Sequence, residues 1–310
     1  MNCSLLPRFS TDVEASVTNK KPITMPELPE VETMCRGIAC FQGEIIENIL
    51  FPKHTRRASP IQPRPKILAS KLQGARITGI TRLGKRAILS VAPADRPANG
   101  NNNLFLIFEP RMTGLLLRVP PPTQKHVRLV VHIKKYKDPL IFWDRRGLGT
   151  ITMVNRSTFI SRFGNNALGP DALQANGPEL YEKIHQSKRH IKVALLDQKI
   201  LAGIGNIYAS EILYMARIDP RTRCCRLSQG ACERIAKASS QILRLAIKHE
   251  GSSIGDETYR TADNRPGQYQ RFHKVYGRDK AKCGQCENEI QRVIQSQRST
   301  FFCPNCQTRY

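Results

Sequence analysis

Residues 25–41 read MPELPEVETMCRGIACF, and ordered patterning begins there. Val31, Met34, Cys35 and Ile38 fall at i, i+3, i+4 and i+7, one face of a helix. Pro29 stands where a first helical turn tolerates proline, and the acidic Glu30 and Glu32 suit the positive end of the helix. Upstream, residues 1–24 have neither a period nor the apolar core of a secretory signal, and Asp12 and Glu14 spoil the acid-poor pattern of a transit peptide. They read as a disordered extension, or as a start assigned too far upstream. Downstream, from about 45 to 155, the runs ARITGITRLGKRAILSVA, NLFLIFEPRMTGLLLRV, HVRLVVHI and PLIFWDRRGLGTITMV are separated by loops such as PADRPANGNNN and PPPTQK. Short branched-aliphatic runs between turn signals predict a β-sandwich or barrel.

From about 178 to 250 the period turns helical, in ELYEKIHQ, IKVALLDQKIL, NIYASEILYMARI and CERIAKASSQILRLAIKH. Ala202-Gly203-Ile204-Gly205-Asn206 separates the second from the third. Its glycines are expected to end one helix and Asn206 to cap the next, with backbone N–H groups at that helix start able to hold a phosphate. The chain therefore divides into a 1–24 extension, a β-sandwich or barrel domain at 25–160 with a leading helix, a helical domain at 175–265 and a hairpin at 270–310. The class is α+β.

The 310 residues carry 49 Lys and Arg against 25 Asp and Glu, a net charge of +24. A surplus of that size repels itself unless it faces a polyanion, and nucleic acid is the expected partner. No apolar run approaches the roughly 18 residues of a spanning helix, which excludes that class of membrane protein. Of ten cysteines, Cys283, Cys286, Cys303 and Cys306 form two CxxC pairs, whereas Cys3, Cys35, Cys40, Cys224, Cys225 and Cys232 show no such spacing. Two thiolate knuckles can close a tetrahedron around one Zn²⁺, and a closed four-sulfur site is structural. The pattern suits a reducing compartment rather than a disulfide framework.

MPELPEVET, the β-rich region, GIGNIYASE and a basic ribbon containing QRSTFFCPNCQ, in that order, resemble bacterial formamidopyrimidine-DNA glycosylase over roughly residues 25–310. The resemblance implies a helix-two-turn-helix DNA-binding domain and a zinc-finger hairpin. It implies a base-excision enzyme for oxidised purines that also cleaves the strand by β,δ-elimination. Its partner would be double-stranded DNA with oxidised bases or abasic sites, and the protein a monomer in the bacterial cytoplasm, at the nucleoid, with no membrane partner. It assigns Pro26 as the nucleophile whose amine forms a Schiff base, Glu27 as the catalytic carboxyl, with Glu30 in support, and Lys85 as an acid and phosphate contact. Arg298, at the hairpin tip, would grip a phosphate beside the lesion. Asn206 and Lys192 match backbone-phosphate contacts, and Lys188 and Arg278 are expected to add charge. Met112 and Arg146 match residues that fill the hole left by a flipped base.

The chain departs from the family pattern in four places. Leu148 stands where the family has Phe, which removes a stacking ring from the filler. Glu109-Pro110-Arg111 precedes Met112 where a His is usual. The loop before HVRLVV has one His fewer, leaving His126 either a phosphate contact or a surface residue. With residues 1–24 attached, the Pro26 nitrogen is a tertiary amide and cannot attack. Two alternative functions follow: a lesion-binding protein without catalysis if the extension stays, or a sister glycosylase for oxidised pyrimidines.

Overall fold

The computed structural model describes residues 25–52, 59–94, 103–164, 167–255 and 258–310. The extension and most of the PADRPANGNNN loop lie outside them. The leading helix forms as its spacing predicts: α1 (Leu28–Gly37) has Pro29 in its first turn. Leu28 is buried in the helical core, whereas Val31, Met34, Cys35 and Ile38 are buried in the core of the sheets. One short helix thus joins both halves, because its two ends face different apolar partners.

The β region contains β1 (Ile46–Leu50), β2 (Ile61–Gln62), β3 (Arg76–Leu83), β4 (Arg86–Ala92), β5 (Leu104–Glu109), β6 (Gly114–Leu117), β7 (Val127–Ile133), β8 (Leu140–Asp144) and β9 (Thr150–Asn155). They make a five-stranded sheet in the order β2-β9-β5-β4-β3 and a four-stranded sheet in the order β1-β7-β8-β6. Among the described strand pairs of these sheets, β2–β9 is parallel and the rest antiparallel. Ile77, Leu89, Leu106 and Phe108 of one sheet share a core with Ile49, Leu115, Leu129 and Phe142 of the other. This is the expected sandwich. The stretch is not all strand: α2 (Pro65–Leu72) interrupts it, with proline in its first turn and Leu68 and Leu72 buried one turn apart. A second helix, α3 (Arg156–Phe163), follows β9 and is capped by the Asn155 side chain, which accepts the Thr158 N–H at 2.9 Å.

The helical half is α4 (Gly177–Ile184), α5 (Ile191–Leu195), α6 (Asn206–Met215) and α7 (Gln229–Lys248). The expectation that IKVALLDQKIL is one helix is corrected, because α5 stops at Leu195. The Gln198 side chain donates to the carbonyls of Leu196 and Ile204 and accepts the Gly203 N–H, and these bonds support a turn instead. Helix α6 is buried from Ile207 to Tyr214, Ser210 and Glu211 included, and forms the axis of this half. The chain ends in an antiparallel hairpin, β10 (Gln291–Gln295) and β11 (Arg298–Phe302). Ser296 and Gln297 form its two-residue tip with φ of 47° and 61°, the left-handed pair that a tight hairpin turn needs.

Candidate active site

The start of α6 organises the site, by a route that differs from the sequence expectation. Gly205, not Asn206, is the N-cap. The N–H groups expected to hold a phosphate hold the Glu27 carboxylate: Gly205 donates at 2.6 Å, Ile207 at 2.9 Å and Tyr208 at 3.4 Å. A carboxylate at a helix N-terminus satisfies orphan donors and the helix dipole together. The approach is closed by glycine: a Cβ on Gly205 would lie 2.3 Å from the Glu27 carboxyl carbon, and one on Gly203 would lie 2.5 Å from a Leu28 methyl. Leu28 N–H donates to the Gly203 carbonyl at 3.0 Å. Pro26 is buried immediately before this anchor.

Glu30 lies beneath. It accepts the Glu27 N–H at 2.9 Å, the Tyr208 hydroxyl at 2.7 Å and the Ser252 N–H at 2.8 Å. Ser252 continues the chain of polar contacts to His273 at 3.0 Å. Burial raises the pKa of Glu27, against the opposing pull of Lys85 and the three N–H donors. Burial, then the neighbouring Glu27 charge, pushes Glu30 up to about 7. Glu32, read as helix-end charge, pairs instead with Arg36 at 2.8 Å and with Arg82 at 3.0 Å, and Arg82 also reaches Asp171 at 2.7 Å.

Lys85 and Lys192 face this carboxylate pair from two elements, and Arg298 lies near both lysines. Lys85 sits in the β3–β4 turn, half-buried; desolvation lowers its pKa, Glu27 opposes that, and Arg298 adds to the lowering. Lys192, on α5, is 1% exposed and is pushed down to about 7 by burial. Its ammonium gives all three donors to protein: Asn206 Oδ1 at 2.7 Å, the Ser299 carbonyl at 2.9 Å and Thr300 Oγ1 at 2.7 Å. Asn206 Nδ2 donates to the same Ser299 carbonyl at 3.1 Å. Lys192 and Asn206, matched to phosphate contacts, therefore clamp the hairpin to α6. Arg298 begins β11 beside that clamp and is exposed.

At the other end of the hairpin the sulfurs of Cys283, Cys286, Cys303 and Cys306 lie within 4.8 Å of one another. Cys283 and Cys306 are 3.8 Å apart and Cys286 and Cys303 are 3.4 Å apart. Four thiolates around zinc at about 2.3 Å would sit roughly 3.8 Å from each other, so donor set and spacing fit this metal. Asp219 N–H to the Thr308 carbonyl at 2.9 Å and Gln307 Nε2 to the Ile218 carbonyl at 2.8 Å fix the hairpin base to the helical half.

Comparison with known proteins gives the family of the chain. The profile described as the formamidopyrimidine-DNA glycosylase N-terminal domain matches residues 25–151, and that of the same enzymes' H2TH domain matches 167–258. The zinc finger found in FPG and IleRS matches 281–309. The formamidopyrimidine-DNA glycosylase of Chloroflexus aurantiacus is 34% identical over 289 residues, spanning 91% of this chain and 98% of its own. That of Novosphingobium aromaticivorans is 35% identical, spanning 91% and 100%. The chain belongs to the formamidopyrimidine-DNA glycosylase family. Among solved structures, the MutM (Fpg) protein from Thermus thermophilus is similar with a TM-score of 0.76 and 30% identity, over 92% of this chain and 100% of that one. The Lactococcus lactis Fpg in complex with abasic-site DNA gives 0.77 and 31%, over 91% and 100%.

The remaining positions matched to the glycosylase family are not among the groups bonded to Glu27 and Glu30. Met112 is half-buried on the turn between β5 and β6; Arg146, exposed, and Leu148, half-buried, are on the turn between β8 and β9. His126 is half-buried in a single helical turn before β7, with the edge of its ring toward Trp143 at 5.4 Å. Lys188 is exposed before α5, and Arg278 is half-buried and donates to the His273 carbonyl at 3.3 Å. Sequence reading missed Tyr208, Ser252, His273, Thr113 and Asp144. Glu211 was missed too, although it accepts the N–H groups of Lys274, Val275 and Tyr276 and so seats the approach to the hairpin. None of these stands in a pattern that a single sequence exposes; each acts through a partner distant in the chain. Among the described residues no helix is long and apolar enough to cross a membrane.

Proposed function

We propose that this member of a DNA-repair glycosylase family excises oxidised bases and cleaves the strand at the resulting site, with Pro26 as nucleophile. The observation that carries the proposal is the seating of Pro26-Glu27 on the N-terminus of α6, faced by Lys85 and Lys192. The reaction requires a secondary amine, so the acting chain is one whose first residue is Pro26. A terminal amine titrates near 8, which leaves a useful nucleophilic fraction at neutral pH.

The amine nitrogen forms a bond to the sugar carbon as the bond to the damaged base breaks; the base leaves with the electron pair and takes up a proton. Glu27, whose pKa burial raises, gives its proton to the ring oxygen, which opens the sugar. The nitrogen loses its proton and the product is a cationic Schiff base. Its charge acidifies the neighbouring carbon-bound proton, whose removal expels one phosphate; a second elimination expels the other. Lys85 serves as acid and phosphate contact, and Arg298 grips a phosphate beside the lesion through its planar fork. Lys192, with its donors committed, positions Asn206 and the hairpin rather than touching DNA. One zinc ion, structural, would be held by Cys283, Cys286, Cys303 and Cys306, stabilising a hairpin too small for its own core and so keeping Arg298 in place. Met112, Arg146 and Leu148 fill the gap left by the flipped nucleotide. Lys188, Arg278 and His126 add contacts to the DNA backbone. The acting chain is a monomer of the bacterial cytoplasm, and its units are the sandwich at 25–160, the helical domain at 175–265 and the hairpin at 270–310.

A wider lesion range is a second reading, favoured by the Lactococcus lactis Fpg structures with Fapy-dG DNA and with an oxidised-pyrimidine DNA. The test is cleavage by the chain beginning at Pro26 of duplexes holding 8-oxoguanine or thymine glycol. Nicks at 8-oxoguanine with phosphate on both ends support the proposal, and efficient thymine-glycol cleavage extends it. Intact 8-oxoguanine strands overturn it.

A further inference from the structure

Thr113 and Asp144 are both fully buried, at 0% exposure, beneath the two turns that carry Met112, Arg146 and Leu148. The Thr113 hydroxyl donates to Asp144 Oδ1. It also accepts the Arg146 N–H at 2.9 Å. Asp144 accepts the same Arg146 N–H at 3.2 Å and, through Oδ2, the Gly149 N–H at 2.7 Å and the Ser59 hydroxyl at 3.3 Å. The Asp144 backbone is held as well, since Arg128 Nε donates to its carbonyl at 3.0 Å. Both turns are tight. A Cβ on Gly114 would lie 2.6 Å from Pro110, and one on Gly149 would lie 2.8 Å from Phe142 and 3.1 Å from Asp144 Oδ2.

Thr113 ties the turns together. It follows Met112 directly and touches the backbone of Arg146. Each turn carries the chain from one sheet to the other, and beyond the strand ladders that flank them no backbone hydrogen bond joins the two among the described residues. Past those ladders, their relative placement passes through one buried hydroxyl and one buried carboxylate.

We propose that Thr113 and Asp144 are positioning residues that lock the Met112 turn to the Arg146–Leu148 turn, so that the filler side chains enter the duplex as one unit and together judge the base opposite the lesion. This rests on the excision reading above. The paired Thr113 hydroxyl and Asp144 carboxylate resist change in either turn and fix the Arg146 backbone, leaving its exposed side chain free to reach a duplex. Thr113→Val removes the shared hydroxyl at nearly constant volume.

The test is a double-mutant cycle on 8-oxoguanine excision, with Met112→Ala and Arg146→Ala in wild-type and Thr113→Val backgrounds. In wild type the two losses are strongly non-additive, because either change disables the unit. In Thr113→Val they become additive, and discrimination between cytosine and adenine opposite the lesion changes about tenfold, some 1.4 kcal/mol. Thr113→Ser restores both. Ser59→Ala, which bonds the same carboxylate but belongs to neither turn, loses stability and keeps the preference. Lyase activity on single-stranded abasic DNA, where no opposite base exists, stays within about twofold in Thr113→Val. Unchanged non-additivity and unchanged base preference in Thr113→Val overturn the proposal, as does equal loss of preference in Ser59→Ala. If wild type leaves 8-oxoguanine duplexes uncut but binds them, the excision reading itself has failed, a result separable from any behaviour of Thr113.

Discussion

The α6 terminus and the outer edge of the sandwich solve the same problem in opposite ways. At α6 the functional groups are buried: Glu27 is 3% exposed and Glu30 is 1% exposed, each with three or more polar contacts. At the edge Arg146 is exposed, and the buried order lies underneath it in Thr113 and Asp144. On the proposed reading the carboxyls at α6 take part in the reaction, which needs fixed geometry and a shifted pKa, and burial supplies both. Groups that must enter a duplex have to be reachable, so only their posts are inside. The edge should consequently tolerate side-chain change better than the terminus.

The severest challenge to that contrast is Gly205→Ala. Its Cβ would overlap the Glu27 carboxyl, whose own position is fixed by three N–H donors. A misplacement near 1 Å is expected to lower single-turnover excision by about a hundredfold, while duplex binding stays near wild type. Rapid-quench kinetics beside a binding titration checks both.

Glu30 supplies a pH prediction. Its folded pKa of about 7 lies above the ordinary value of 4.5, so the folded protein keeps a proton that the unfolded chain has released. Stability then falls as pH rises from 4.5 to 7, by up to about 3 kcal/mol. Denaturant melts of wild type and Glu30→Gln at pH 5 and pH 8 should show the variant losing less over that interval. An equal loss would place the proton elsewhere.

Stripping metal with a chelator tests the hairpin as a lever. Arg298 placement depends on the four cysteines and on the Lys192 clamp, so metal-free protein should lose strand cleavage while the main thermal transition of sandwich and helices persists. At the edge, Leu148→Phe should sharpen opposite-base preference by about fivefold, through roughly 1 kcal/mol of ring stacking. The smallest effect belongs to exposed Lys188: Lys188→Ala should reduce the slope of log affinity against log salt by about 1 and leave lesion preference unchanged.

Much of the fold was legible because it is written in local periods. The α1 stripe of Val31, Met34, Cys35 and Ile38, the short strands, and the two CxxC knuckles all declare themselves within a few turns of chain. Helix α2 was overlooked although Pro65 opens it and Leu68 and Leu72 repeat at helical spacing, because the strands on either side set the reading. The site was legible as a set of residues, through family likeness, and not as an arrangement. Asn206 has ideal cap chemistry, yet Gly205 takes the cap because Glu27, 178 positions earlier, needs the space that a Cβ would fill. Lys192 looks like a surface phosphate contact and is buried instead, since Ser299 and Thr300 arrive from more than a hundred residues away. Local propensity cannot see an anion delivered by tertiary folding.

The central claim is that the α6 terminus presents Pro26 as a reacting amine. Its most direct measurement is borohydride trapping on abasic-site duplex, with the adduct mapped by mass spectrometry, for a chain beginning at Pro26 and for one retaining Met25. The account predicts a covalent sugar on the Pro26 nitrogen in the first and no adduct in the second. An adduct on a lysine, or equal trapping by both chains, would contradict it.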